Sequence, residues 1–178
     1  MIVRPATAAD VSAIAAIYHH HAVHGLGTFE EAGPPESEMA ARMAAVQDKG
    51  LPYLVAEKDG AVLGFAYAGP FRARSAYRYT VEDSVYIAPE AIGQGVGRAL
   101  LSAVLTACES LGVRQITAVI GDSGNAASIG LHQALGFTHA GAFTGVGYKH
   151  GRWVDVVFMQ KALNGGIDVP PQGPGVQL

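Results

Sequence analysis

Between residues 77 and 111 the apolar pattern changes period across a single loop. "YRYTVEDSVYIAP" alternates as a strand does, and "AIGQGVGRALL" packs Gly93, Gly95 and Gly97 into five positions before a helical repeat sets in. A strand that enters a helix through so many glycines presents bare backbone amides and a helix N-terminus at one point, an arrangement suited to an anion. Everything else in the fold has to accommodate this strand–loop–helix unit.

The flanking pattern places the unit in one α/β domain. "MIVRPA" reads as a short strand, and Thr7 opens a helix with Asp10 as the acidic partner of a capping box. Val11, Ile14, Ala15, Ile17 and Tyr18 keep that helix's apolar stripe, which Gly25 and Gly27 stop. "GPPESEMAARMAAVQ" starts a second helix after two prolines. "PYLVAEKDGAVLGFAYAGP" is a hairpin turning at Asp59-Gly60. After the unit come helix 95–111, strand 114–120, a helix "NAASIGLHQALG" closed by Gly136, and two long strands joined near His150-Gly151. The Gly/Pro-rich run 164–178 reads as a loose tail behind a domain of residues 1–163.

Composition narrows the function. With 178 residues, 49% hydrophobic and 15% charged, the chain can build one sizeable core. A net charge of −3 argues against a nucleic-acid surface. No apolar run is long enough for a membrane span, and "MIVRPATAADVSA" lacks a secretory pattern, so a cytoplasmic location is expected. Cys108, the one cysteine, lies in the apolar run "LLSAVLTACESLG" and reads as a core residue. His20 and His24 are four apart in "YHHHAVH" with no acidic or cysteine partner nearby, so no metal is expected. "GDSGN" at 121–125 lies in a strand-to-helix turn of an α/β chain and is a chance likeness to a serine-protease run.

Three phosphate-binding devices occupy a strand-to-helix loop. A Walker loop needs Gly-Lys, and Arg98 follows Gly97. A dinucleotide fingerprint needs glycine or alanine at its sixth position, where Arg98 (counting from Gly93) or Leu100 (from Gly95) stands; only Asp122, at the distance of a ribose-binding acid, supports a nicotinamide enzyme. The pattern R/Q-x-x-G-x-G/A fits "IGQGVG" at 92–97, with Gly95 and Gly97 in place and Ile92 where Arg or Gln is usual. Ile92 adds no charge, so the amides of Gly93, Gln94, Gly95, Val96 and Gly97 carry the grip, with Arg98 beside them. A loop of this kind serves a catalyst or a non-catalytic acyl-CoA carrier.

On these residues, and on "TVEDSVYIAPEAIGQGVGRALL", "GNAASIGLHQALGF" and "GYKHGRWVDVVFMQ", the chain from Ile2 to Leu163 resembles the GNAT superfamily of N-acetyltransferases, in the branch that acetylates phosphinothricin and methionine sulfone or sulfoximine. The resemblance implies a mixed, mostly antiparallel central sheet with a splayed central strand pair and flanking helices. It implies acetyl-CoA as co-substrate, a small amino-acid acceptor and a homodimer. It implies that Glu82 activates the amine, that backbone atoms of Val85 and Ile87 hold the pantetheine, and that an N–H of Val85 or Tyr86 faces the thioester oxygen. Alternation alone places Glu82, Ser84 and Tyr86 on one face of the strand and Asp83, Val85 and Ile87 on the other.

The remaining candidates carry two readings each. Asn125 is a helix cap or, with Ser128, a pantetheine ligand as the resemblance implies. His132 is a helix-surface histidine or stands in for the superfamily tyrosine that protonates the leaving sulfur. Arg72 and Arg74 precede the base strand, and their guanidinium forks suit the carboxylate and phosphinate oxygens of an acceptor. Phe29 and Glu30 match a substrate wall of the branch; Glu30 either binds an ammonium group or is a solvated loop acid. Lys149 and His150 form a turn or close the substrate site, in the branch often from a dimer partner.

Overall fold

The computed structural model describes residues 1–178. Strand β1 (Ile2–Pro5) leads into helices α1 (Val11–His24) and α2 (Glu36–Gln47). Strands β2 (Tyr53–Lys58), β3 (Ala61–Pro70) and β4 (Thr80–Ile87) follow, then α3 (Val96–Ser110), β5 (Gln115–Gly121), α4 (Ala126–Ala134), β6 (Thr138–Lys149) and β7 (Arg152–Ala162). The seven strands form one sheet in the order β1-β2-β3-β4-β5-β7-β6, antiparallel throughout except for the parallel pair β4–β5. The expected element order and mixed sheet are present.

Local chemistry explains the joints. Asp59 and Gly60 take φ of 53° and 80°, and His150 and Gly151 take 51° and 74°, so both hairpins turn on two residues of positive φ, as the strand twist prefers. At the start of α1, Asp10 Oδ2 accepts from the Thr7 N–H at 2.8 Å and the Thr7 hydroxyl at 3.1 Å, the acidic half of the capping box. The β4 strand begins at Thr80 rather than Tyr77, because Ser75–Tyr77 close a 3-10 turn.

Two helical layers cover the sheet. Helix α3 lays Val96, Leu100, Leu101, Val104, Leu105 and Cys108 on one face, all buried. Helix α1 covers the other face, where Tyr18 meets Tyr86 edge-on at 5.0 Å and Phe65 stacks on Tyr86 at 5.1 Å.

The decisive irregularity is in the middle. β3 pairs with β4 along its whole length, Gly64 with Ile87 through Pro70 with Val81. β5 pairs with β4 only from Thr80/Gln115 to Asp83/Ala118, then leaves it and stays with β7 as far as Gly121/Val156. The two central strands therefore open into a V whose apex is Asp83 and Ala118, the splay that the resemblance implies.

The run after Leu163 differs from the loose tail expected. Arg114 is buried, and its guanidinium donates to the carbonyls of Gly166 (2.6 Å), Val169 (2.7 Å) and Pro170 (3.2 Å). The Tyr79 hydroxyl donates to Gly173 O at 2.8 Å, and the Val176 N–H donates to Arg78 O at 2.7 Å. A composition-based reading misses this because the donors lie far away in sequence. Arg114→Ala removes the donors of three tail carbonyls, each bond to a charged group contributing about 1.5–3 kcal/mol. We expect a lower Tm and rapid proteolytic clipping after Leu163, followed by mass spectrometry of the intact chain.

Candidate active site

The direction of each β4 peptide follows from its pairing with β3. In an antiparallel ladder, residues alternately direct both backbone groups toward one neighbour and then the other. The Ala88 N–H donates to Leu63 O (2.9 Å) and Phe71 N–H to Thr80 O (3.3 Å), so the even-numbered residues of β4 face β3. Asp83, Val85 and Ile87 therefore turn their backbone groups toward β5. Asp83 is still within the ladder; Val85 and Ile87 are past the apex and face the gap. Of the two amides expected as oxyanion donors, Val85's points into the gap, and Tyr86's is turned to β3.

A cavity of about 600 Å³ fills the gap. Its walls are β4 from Asp83 to Ile87, β5 from Ala118 to Ile120, the 25–27 segment after α1, the glycine loop with the start of α3, and α4 through Asn125, Ser128, Leu131 and His132. Gly95, at φ 79°, is the left-handed residue that turns the loop into α3; a Cβ there meets no neighbour, so backbone conformation rather than space calls for glycine. Val96, Gly97 and Arg98 precede the first bond of the helix, Ala99 N–H to Gly95 O at 3.1 Å, and their amides have no intrahelical acceptor. Gly97 also lets α4 approach: a Cβ would lie 3.2 Å from Leu131 Cδ2. Gly93, Gly95, Val96, Gly97 and Arg98 all line the cavity. Ile92 lines it too, with its side chain 63% exposed at the rim.

One group already uses the gap. His21 of α1 directs Nε2 to the Ile87 carbonyl at 2.8 Å, and because a carbonyl only accepts, that nitrogen carries the proton. Burial lowers the pKa of this ring, with the Ile87 bond opposing. The sequence reading passed over His21, although it continues the α1 stripe from Ile14 and Tyr18 at helical spacing.

Glu82 lies on the α1 face of β4, half-buried. Burial is the main cause that raises its pKa; the charge of Asp83 adds to this and Arg72 opposes it. Arg72 and Arg74 are both exposed in the segment before β4, and Arg72 lies over the Phe71 ring at 5.1 Å. Tyr67, in register with Ser84 on the neighbouring strand, lies in the fields of Glu82 and Arg42. A smaller cavity of about 280 Å³ adjoins Tyr67 on this face, walled by Tyr18, Met39, Arg42, Tyr53 and Phe65.

The opposite face carries His132, which is buried. Nδ1 donates to the Ser128 carbonyl at 2.8 Å, and Nε2 meets Asp83 Oδ2 at 3.0 Å. Asn125 Oδ1 accepts from the Ser128 N–H at 3.1 Å, so it caps α4 while lining the cavity.

The remaining candidates gather beside the α1–α2 connection. Glu30 pairs with Arg42 at 2.8 Å, and its second oxygen, Oε2, is buried without a partner. Phe29 packs against Gly147 of β6, where a Cβ would overlap the ring. Lys149 is buried and donates to Thr28 O at 2.8 Å, tying β6 to the Phe29–Glu30 segment; His150 is exposed at the tip of the hairpin. The structure thus brings Phe29, Glu30 and Lys149 together, and leaves His150 apart from them. Arg42 was missed because its i,i+4 bond to Glu38 reads as an ordinary surface pair.

Comparison with known proteins agrees with this geometry. Residues 3–158 match the acetyltransferase (GNAT) domain family. The chain is 58% identical over 163 residues to a phosphinothricin N-acetyltransferase of Alcaligenes faecalis, covering 92% of this chain and 83% of that protein. It is 41% identical over 164 residues to an L-methionine sulfoximine/L-methionine sulfone acetyltransferase of Salmonella typhimurium, covering 92% and 95%. The crystal structure of a GNAT superfamily phosphinothricin acetyltransferase from Sinorhizobium meliloti in complex with AcCoA superimposes with a TM-score of 0.94 at 46% identity, over 98% of this chain and 94% of that one. Glycine loop, splayed strands and matched length together place this chain in the GNAT acetyltransferase family.

Proposed function

We propose that the chain transfers the acetyl group of acetyl-CoA to the α-amino group of a small amino-acid analogue of the phosphinothricin or methionine sulfoximine and sulfone kind. The observation that carries this reading is the gap between β4 and β5. It exposes the backbone of Val85 and Ile87 to a cavity running from the glycine loop to the apex at Asp83, with Glu82 on the far face of the same strand. A long, thin ligand with a diphosphate at one end and a reactive group at the other fits that shape. Related enzymes whose names specify phosphinothricin or methionine sulfoximine support the acceptor class.

Acetyl-CoA supplies an acyl carbon activated by its thioester. The chain's residues do the rest. The amides of Gly93, Gly95, Val96, Gly97 and Arg98 hold the diphosphate; Gln94, expected among them, donates its N–H to Ala91 O at 3.3 Å and is not in the cavity wall. Val85, Ile87, Asn125 and Ser128 align the pantetheine. Glu82 takes the proton from the acceptor's ammonium group; burial raises its pKa and so makes the ionised carboxylate a stronger base. The Val85 N–H stabilises the negative charge that develops on the acyl oxygen. His132 protonates the departing sulfur. Arg72 and Arg74 bind the acceptor's acidic groups, and Glu30, Phe29 and Lys149 form the outer wall.

Phe143, Val146, Tyr148 and Trp153 are 53–68% exposed along the β6–β7 hairpin. An apolar, aromatic edge of this kind supports a homodimer through the hairpin. The protein is proposed to act in the cytoplasm; no helix is long and apolar enough to cross a membrane.

Four measurements test this. With phosphinothricin as acceptor, Glu82→Gln should lower kcat about 100-fold or more while the KM for acetyl-CoA changes by less than about two-fold. A normal rate for E82Q would leave acyl-CoA binding without base catalysis. The pH dependence has a definite sign: activity is lost as pH falls through the raised pKa of Glu82, so the acidic limb of kcat/KM lies above the ordinary glutamate range. Arg72→Ala, which removes the opposing charge, should move that limb to still higher pH and raise the acceptor's KM about ten-fold. Light scattering should report two chains, and Trp153→Asp should shift the population to one.

A further inference from the structure

Asp83 and His132 form a buried couple that the base chemistry of Glu82 does not use. Their side chains are 2% and 4% exposed. Residue 83 is the last in β4 to pair with β5, so it marks the apex of the V, where the thioester end of an extended ligand arrives. Strand alternation puts its side chain opposite Glu82, toward α4.

Counting protons constrains the couple. The Ser128 carbonyl can only accept, so Nδ1 carries a hydrogen. The contact of Nε2 with Asp83 Oδ2 needs one more proton, on the ring or on the carboxyl group. Asp83 Oδ1 is buried with no partner, and His132 is the one side chain bonded to this carboxylate; a backbone N–H at residue 83 adds to its stabilisation. Burial by itself disfavours the imidazolium, but the Asp83 bond and charge, with the Ser128 carbonyl, outweigh it and leave the ring's pKa above its ordinary value; burial raises the pKa of Asp83 too, with the His132 bond and charge opposing, so the proton is held between the two groups rather than lost to solvent. Other titratable groups nearby do not take over this role. Cys108 of α3 is a neutral thiol, its pKa pushed up to about 12 by burial. Glu82 is on the other face of β4, His21 approaches the cavity from α1, and Lys161 of β7 is bonded to Leu135 O at the end of α4.

We propose that Asp83 is the positioning residue that keeps His132 protonated at the apex, so that His132 is the acid of the acetyl transfer. As the C–S bond breaks and its electron pair leaves with sulfur, the proton held between Nε2 and Asp83 Oδ2 leaves that hydrogen bond and passes to sulfur. The ring stays neutral, with Nδ1–H still bonded to Ser128, beside a carboxylate. Over the whole reaction nitrogen loses two protons, sulfur gains one and one goes to solvent, so a proton shed by the amine can reload the couple. Base and acid are thereby held apart by the thickness of one strand. This assignment rests on the acetyl-transfer reading above.

Asp83→Asn tests it with little change of shape, because the amide donates to Nε2 and holds the ring neutral. The expected result is a kcat about 100-fold lower, KM values for acetyl-CoA and phosphinothricin within about two-fold of wild type, and an alkaline limb of kcat moved to lower pH. In ¹⁵N-histidine-labelled protein, the wild-type His132 ring should show both nitrogens protonated at neutral pH, and D83N only one. Wild-type kcat and an unmoved limb in D83N, with E82Q inactive, would show the couple to be merely a pin between α4 and β4 and overturn the proposal. If D83N does not fold, the wild-type spectrum decides: a neutral His132 ring at neutral pH overturns it equally. Full activity in both E82Q and D83N brings down the acetyl-transfer reading itself.

Discussion

The separation of β5 from β4 beyond Asp83 and Ala118 is the constraint on which the site depends. β4 is held along its length by β3, which fixes the direction of each of its peptides, and β5 is held by β7 up to Gly121. Neither can move to satisfy the other. Leaving a buried backbone group unpaired costs about 1–3 kcal/mol, so the gap needs either a ligand or a local substitute. The bond from His21 to the Ile87 carbonyl is such a substitute at one position, and a pantetheine amide seeking that carbonyl competes with the ring. Val85 has no comparable partner from α1, which leaves its N–H available to a reacting oxygen.

Strand geometry also divides the chemistry. Consecutive residues on β4 point to opposite faces, so Glu82 and Asp83 are covalent neighbours in different surroundings. Glu82 faces Tyr67 and the cationic segment before β4, half-exposed, surroundings that suit the base proposed for an incoming ammonium. Asp83 faces His132, sealed in place by α3 and α4. A base has to exchange protons with solvent in every cycle, whereas an acid for a leaving group benefits from a dry site where its charge is not screened. The two-residue period of the strand supplies both environments at one point along the ligand.

Features with a local signature were legible in the chain alone. The apolar stripe of α3, the alternation of β4, the Asp59-Gly60 turn and the His150-Gly151 turn depend on residues within a few positions of one another, and the structure has all of them. The opening of the sheet was known only through resemblance, since Ser84 to Ile87 alternate in the same way whether or not a fifth strand pairs with them. The long-range polar contacts left no trace. Lys149 reaches Thr28 across 121 residues, Arg114 reaches Val169 across 55, and His132 reaches Asp83 across 49. His132 and Lys149 were candidates by position and Arg114 was not, but in none of the three does the local sequence name the partner that the fold supplies. The tail followed the same rule, its composition describing the peptide and not the arginine that fastens it.

Ile92 bears on how far the proposed grip on a diphosphate rests on backbone. Its side chain lies at the rim and offers no hydrogen bond, where an arginine or glutamine is usual for the motif. What remains is a loop whose shape is already set: Gly93 and Gly95 both sit at φ 79°, a conformation that costs an L-residue about 1–2 kcal/mol and glycine almost nothing. Val96 is buried behind them, so the first amides of α3 are fixed in direction before any ligand arrives. A preformed ring of amides loses little entropy on binding, whereas a long arginine side chain must be ordered. Rigidity can therefore stand in for charge, and the same apolar anchoring of α3 against the sheet that stabilises the fold also aims the amides at the cavity.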